Sequence, residues 1–269
     1  MKIRILGCSG GLGPGRRTTS FLVDDELLID AGSGLEQLDM EQLLRIRHVL
    51  ITHAHLDHIL GLPLMLGTIY ERHQVPVRVH ALAEVLTALQ QHVFNWTLWP
   101  DFTCLPRDKP ILELVPVEMD RSHRVGEYEV VPLPVTHPTP SAGFWVKGAE
   151  GSSFAFTGDS GFHPPFWQRL NVYRPQLVIA DVSFVADSAD LAVDSGHMVV
   201  DQLGQVMAML EYQPEIRATH FKVGQEERLV RLLEQFKYEE SGVAVRPLRQ
   251  GEEFDLLLPD PPAPPLAGC

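Results

Sequence analysis

Six consecutive residues constrain this chain more than any other feature. His53-Ala54-His55-Leu56-Asp57-His58 directly follows Val49-Leu50-Ile51-Thr52, an apolar run that reads as a buried strand. In an extended segment, residues two apart face the same side, so His53 and His55 can share one ion. If the chain then turns into a helix, Asp57 and His58 point from its first turn toward a neighbouring position. Three imidazoles and a carboxylate within six residues are the ligand types that borderline divalent metals prefer. The bland alternative is a surface loop that happens to be rich in histidine, and the position at a strand end argues against it.

Other strand ends offer further ligands. Val135-Thr136-His137 ends one strand, and Ala218-Thr219-His220 ends another. Phe156-Thr157-Gly158-Asp159 ends a third, with a glycine that allows close backbone approach. Each alone could be an ordinary hydrogen-bonded side chain; their repetition in one architecture points to a shared centre. His48, His73, His80, His92 and His123 have no such setting and read as structural.

Periodicity predicts strands at 2–7, 20–23, 47–52, 77–80, 111–117, 128–135, 143–147, 153–157, 177–182 and 215–220. Glu26–Asp30 reads as the return limb of a hairpin turning at Asp24-Asp25. Helices are expected at 35–46, 62–70, 83–94, 164–171, 198–212 and 226–238. The order is mostly β first, then α and β mixed, in each half. An α/β fold of two similar halves, packed sheet on sheet with helices outside, satisfies it. No linker divides the chain, so residues 1–258 are expected to form a single domain. Pro259–Cys269 holds five prolines and reads as a disordered tail.

The charge balance is 22 Lys and Arg against 35 Asp and Glu, a net −13. An acidic chain gains nothing from counterion release, which argues against DNA, against tRNA as a general field effect, and against anionic membranes. The most apolar window, Val49 to Tyr70, is interrupted by His53, His55, Asp57 and His58 and is no membrane span. Cys8, Cys104 and Cys269 are too few and scattered for a disulfide framework, which fits a reducing cytoplasm. The start, Met1 to Cys8, lacks the apolar stretch of a signal peptide and reads as a first strand.

The order His53-x-His55-x-Asp57-His58, then His137, Asp159 and His220, resembles the metallo-β-lactamase superfamily over roughly residues 2–250. The resemblance implies an αββα sandwich with two metals at one edge. Carried over by position, His53, His55, His137 and Asp159 would hold one metal. Asp57, His58, His220 and Asp159 would hold the other, the aspartate bridging. Zinc is the expected ion, with manganese or iron as alternatives.

Four local features bear on the branch. His55 to Leu62 looks like the class II cyclic-nucleotide phosphodiesterase signature, departing from it at Pro63. Gly7 to Ser20 resembles the glycine-rich first loop of phosphodiesterases and tRNase Z; it lacks the Gly-Lys-Ser/Thr of a Walker loop. Asp181-Val182-Ser183-Phe184 with Ser195-Gly196-His197-Met198 looks like the acid-plus-histidine pair of the phosphodiesterase branch. Thr219-His220-Phe221-Lys222 resembles its final metal motif. The tRNase Z branch commonly carries a long clamping insertion between the third and fourth metal motifs. Here His137 to Asp159 spans only 22 positions (159 − 137).

The leading expectation is a binuclear phosphodiesterase acting on a 3′,5′-cyclic AMP-like substrate through a metal-bridging hydroxide. A poor alkoxide leaving group benefits from a proton donor. His197 is the candidate, oriented by Asp181; the alternative is that His197 caps a helix starting near Met198. Asp57, His197 and Asp181 are the candidate catalytic residues, and Arg16, Arg17 and Lys222 the candidate substrate-binding ones. Trp96, Trp99 and Phe102 could stack on a base, or serve as core or dimer contacts. Relatives of these branches are often homodimers, and the apolar stretch Leu62–Trp99 offers a surface to bury. Two alternatives stay open: a tRNase Z-like nuclease or other small-ester metallohydrolase, and a metal-dependent sensor without turnover.

Overall fold

A computed structural model describes residues 1–235 and 244–256. The proline-rich tail, Cys269 and residues 236–238 of the last expected helix lie outside the described residues. The first strands are β1 (Lys2–Gly7), β2 (Ser20–Val23), β3 (Leu27–Ile29), β4 (His48–Leu50), β5 (Val77–Ala81) and β6 (Leu112–Pro116). The next are β7 (His123–Val125), β8 (Tyr128–Pro134), β9 (Ala142–Lys147), β10 (Ser153–Phe156), β11 (Leu177–Asp181), β12 (Glu215–Thr219) and β13 (Val245–Pro247), and β14 (Glu253–Asp255) is last. They form two seven-stranded sheets, ordered β14-β1-β2-β3-β4-β5-β6 and β13-β12-β11-β10-β9-β8-β7. The β2–β3 hairpin turns at Asp24 and Asp25, both with positive φ, a region that short polar Asp tolerates better than most residues.

The helices are α1 (Met40–Arg45), α2 (Leu56–Ile59), α3 (Gly61–Ile69), α4 (Ala83–His92), α5 (Pro164–Tyr173), α6 (Ala189–Ser195), α7 (Leu203–Met209) and α8 (Glu226–Gln235). Alternate residues of each strand feed different cores, as a period of two requires. Phe21, Val23, Leu27 and Ile29 meet Phe144, Val146, Phe154 and Phe156 between the sheets. Leu22, Leu28 and Val49 face outward onto residues of α1, α3 and α4. Ala155, Val178 and Ala180 face outward onto α5, α7 and α8. Both faces of each sheet are therefore buried, which is why the strands read as apolar runs. This is the αββα sandwich.

Two expected helices are shorter than the apolar pattern suggests. In 35–46 the chain is extended at Leu38, and α1 begins only after Asp39, whose carboxylate accepts from Gln42 N at 2.8 Å in a capping box. In 198–212 the backbone is extended at Val199, and a short 3-10 turn at Val200–Gln202 precedes α7. Strands β7, β13 and β14, of three residues each, and helix α6 have no counterpart among the expected elements; so short a strand carries too few positions to display a period.

Candidate metal centre and active site

The strand ends converge at one edge of the sandwich. His53 lies just beyond β4, His55 is the N-cap of α2, and Asp57 and His58 lie within that helix. His137 follows β8, Asp159 follows β10, Asp181 ends β11 and His220 follows β12. Gly158 adopts φ +62°, and a Cβ there would lie 2.9 Å from Thr52 Cβ, so the turn before Asp159 needs glycine.

One ligand-type atom from each of His53, His55, His137 and Asp159 lies within 4.8 Å of the others, and the same holds for Asp57, His58, Asp159 and His220. Asp159 belongs to both groups. His53 Nε2, His58 Nε2 and Asp159 Oδ1 are buried without a hydrogen-bond partner. They nevertheless converge: His58 Nε2 is 3.1 Å from Asp159 Oδ1, and His53 Nε2 is 3.7 Å from Asp159 Oδ2. Buried polar atoms are almost always satisfied, so a converging set of orphaned imidazole nitrogens and carboxylate oxygen fits divalent cations. The cluster is able to hold metal ions.

A second layer aims these rings. Asp30, at the end of β3, accepts from His58 Nδ1 at 2.7 Å, from Thr52 N at 2.8 Å and from Thr52 Oγ1 at 2.8 Å. With its hydroxyl proton on Asp30, Thr52 Oγ1 accepts from His53 Nδ1 at 3.0 Å. His137 Nδ1 donates to Gly196 O at 3.0 Å. These partners assign the Nδ1–H tautomer to His53 and His137, place an N–H at Nδ1 of His58, and leave each Nε2 facing the cluster. His220 stands at φ +64°. Its amide donates to Cys8 O at 3.0 Å, and Gly10 lies so close that a Cβ there would sit 2.4 Å from His220 O. The glycine-rich first loop thus holds a strained residue in place.

Burial, reinforced by neighbouring imidazoles, pushes the pKa of His53 well below the ordinary value. Burial does the same to His220, with Lys222 adding to it. His55 and His137 are lowered by burial too. Burial also opposes charge on His58, yet Asp159 and Asp30 outweigh it and raise its pKa well above 6.5. Asp159 is held ionised despite burial by His220 and His58. Ionised carboxylate with mostly neutral imidazoles is the state a metal requires.

His197 Nδ1 donates to Asp181 Oδ2 at 2.6 Å, and Asp181 also accepts from Ser160 N at 3.0 Å. The His197 ring stacks on His220 with centroids 5.2 Å apart. No helix starts at Met198; the His197 amide instead donates to Ala192 O, beyond the end of α6. Lys222 Nζ reaches the cluster, 3.0 Å from His220 Nε2. Arg16 pairs with Glu226 at 2.9 Å and Arg17 with Glu36 at 2.6 Å. Among the aromatic residues, Phe102 is buried in the outer core and Trp99 packs against it, while Trp96 is exposed.

Asp30 and Thr52 orient the ligand rings and have no place among the expected site residues. A visible signal existed for Asp30, a lone carboxylate after the wholly apolar Leu27-Leu28-Ile29.

A family model described as a beta-lactamase superfamily domain matches residues 26–221. The chain belongs to that superfamily. Within this superfamily of hydrolases, it is 27% identical over 251 residues to a 3′,5′-cyclic-nucleotide phosphodiesterase of Aliivibrio fischeri, covering 77% of this chain and 74% of that protein. It is 31% identical over 157 residues to a ribonuclease Z of Metallosphaera sedula, covering 55% of this chain and 48% of the relative. It therefore spans about half the length of that relative. Among solved structures, unliganded yeast PDE1 superposes with a TM-score of 0.78 at 18% identity, covering 94% of this chain and 98% of that one. That likeness identifies the metallo-β-lactamase fold.

Proposed function

We propose that the chain is a binuclear metal-dependent phosphodiesterase acting on a small cyclic nucleotide of the 3′,5′-cyclic AMP type. The observation that carries the reading is His197: its Nδ1 is fixed on Asp181 at 2.6 Å and its ring stacks on His220 at the edge of the ligand cluster. A proton donor beside a metal centre suits an ester with a poor alkoxide leaving group.

His53, His55, His137 and Asp159 would hold one ion, and Asp57, His58, His220 and Asp159 the other. When bound, divalent ions supply an activated water near neutral pH and neutralise phosphoryl charge. Zinc suits the imidazole-rich set, and its two carboxylates also suit manganese or iron. Lys222 pairs with a phosphoryl oxygen, drawing its ammonium from His220 Nε2. Arg16 and Arg17 take a lesser part, because each must first release Glu226 or Glu36. Asp57, one-third exposed, stands on the water side of the cluster, where it would help hold the second ion and orient an attacking water. His197 delivers its Nε2 proton to the departing 3′-oxygen, while Asp181 keeps the ring oriented.

A nuclease of the ribonuclease Z type is the second reading, because a relative of that name matches 55% of the chain. Against it stands the segment from His137 to Asp159, which is consumed by the β9–β10 hairpin within the sheet. A metal-dependent sensor without turnover is the non-enzymatic alternative. Cys8 and Cys104 are free thiols, in keeping with a cytoplasmic protein. No helix among the described residues is long and apolar enough to cross a membrane. Exposed Leu64, Trp96 and Leu98 suit a homodimer contact. Metal-replete protein offered cyclic AMP, cyclic GMP, 2′,3′-cyclic nucleotides, bis(p-nitrophenyl) phosphate and pre-tRNA should hydrolyse a 3′,5′-cyclic nucleotide. Cleavage of pre-tRNA alone would favour the nuclease, and turnover of none the sensor.

A further inference from the structure

The Ser183 side chain is fully buried where three segments meet: the end of β11, the loop carrying His197, and the end of β12. Its Oγ lies 2.5 Å from Asp181 Oδ1, 2.8 Å from His220 O and 3.3 Å from His197 Nδ1. Its backbone is anchored on both sides, with Ser183 N donating to Met198 O at 3.0 Å and Lys222 N donating to Ser183 O at 3.2 Å. A hydroxyl has one proton, and two acceptors, Asp181 Oδ1 and His220 O, lie within reach of it. The nearer and charged acceptor, Asp181 Oδ1, takes that proton, and the hydroxyl oxygen stays beside the carbonyl of His220, a residue held at φ +64°.

We propose that the Ser183 hydroxyl is a positioning group for this reaction, fixing the Asp181 carboxylate for His197. The inference rests on the reading of His197 as proton donor. Asp181 Oδ2 is occupied by His197 and Ser160 N, and Ser183 holds the other oxygen, Oδ1, so the carboxylate is fixed at both oxygens. The same hydroxyl stands 2.8 Å from His220 O, where the chain enters the ligand cluster. Losing it leaves the carboxylate held at Oδ2 alone and the His197 ring at a wider range of angles to the leaving oxygen. Neither proposed metal position includes Ser183, Asp181 or His197.

The test is the dependence of kcat on leaving-group basicity, measured on metal-replete protein with aryl phosphodiesters graded from p-nitrophenyl to phenyl. Ser183→Ala should lose about 10–100-fold on the phenyl ester and little on the p-nitrophenyl ester, less than the 10²–10⁴ expected for removing the acid itself. Metal content should equal wild type, and Ser183→Thr, which keeps the hydroxyl, should regain most of the rate. If Ser183→Ala does not fold, Ser183→Cys fills the site with a larger atom and a much weaker donor and should show the same steepened dependence. A second readout needs no activity: in metal-free, histidine-labelled protein the downfield Nδ1 proton of His197 should weaken in Ser183→Ala and return in Ser183→Thr. Equal losses across the series with an unchanged Nδ1 proton would overturn the proposal and reduce Ser183 to packing. If His197→Ala itself leaves the leaving-group dependence unchanged, the reading of His197 fails, and the inference with it. If only Ser183→Ala leaves it unchanged, the inference fails alone.

Discussion

Asp30 Oδ2 accepts the Nδ1 proton of His58 at 2.7 Å, with both side chains fully buried. Three donors converge on this carboxylate, two from Thr52 and one from His58. Asparagine has a single acceptor oxygen, so Asp30→Asn must turn an amide N–H toward one of them. Asp30 also sits at φ +53°, which asparagine tolerates, so the fold should survive. Metal affinity at the site served by His58 should fall about 10–100-fold, read by competition with a chromophoric chelator. Unchanged affinity would show that Asp30 serves packing only.

Much of the candidate centre was legible because strand ends are marked twice, by an apolar run and by the polar residue that ends it. His53, His137, Asp159 and His220 all stand in that position. Asp30 stands there too, but its partners, Thr52 and His58, are 22 and 28 residues away, and no spacing rule links them. Apolar spacing extends the expected helix at 35–46 through Leu38, where the backbone is extended; the Asp39–Gln42 capping box is the better marker of the helix start. The arginines of the first loop look free in sequence, and only the fold brings Glu36 and Glu226 to them.

Asp159 lies in both ligand groups, whereas Asp57 lies in one. Asp159→Ala should therefore empty both positions, and Asp57→Ala mainly one. Elemental analysis of protein grown with ample zinc or manganese should give close to two ions per chain in wild type, about one in Asp57→Ala and none in Asp159→Ala. A wild-type value near one would remove the binuclear reading.

His80 is buried on β5, and burial, the neighbouring His48 at 3.1 Å and Arg78 together bring its pKa down to about 4. The unfolded chain takes up the same proton near the ordinary 6.5, so acid favours unfolding. This contribution, about 3 kcal/mol for a gap of that size, is complete above pH 6.5 and is lost as pH falls toward 4. Chemical denaturation followed from about pH 7.5 to about pH 4.5 should lose stability less steeply in His80→Asn than in wild type. Identical pH profiles would contradict the assignment.

Leu64, Trp96 and Leu98 are 52%, 62% and 61% exposed. If these side chains join two copies, light scattering at micromolar concentration should give twice the chain mass of 30.1 kDa. Trp96→Glu with Leu98→Glu should return the protein to monomer. A wild-type mass of 30.1 kDa would refute the dimer.

The proposed chemistry is the opening of a small cyclic diester with His197 protonating its leaving oxygen. The most direct measurement is kcat of metal-replete wild type and His197→Ala on 3′,5′-cyclic AMP beside bis(p-nitrophenyl) phosphate. Wild type should turn over the cyclic nucleotide, and His197→Ala should lose about 10²–10⁴ on it and much less on the nitrophenyl ester. No hydrolysis of the cyclic nucleotide by fully metallated wild type, or equal losses on both substrates, would contradict this chemistry.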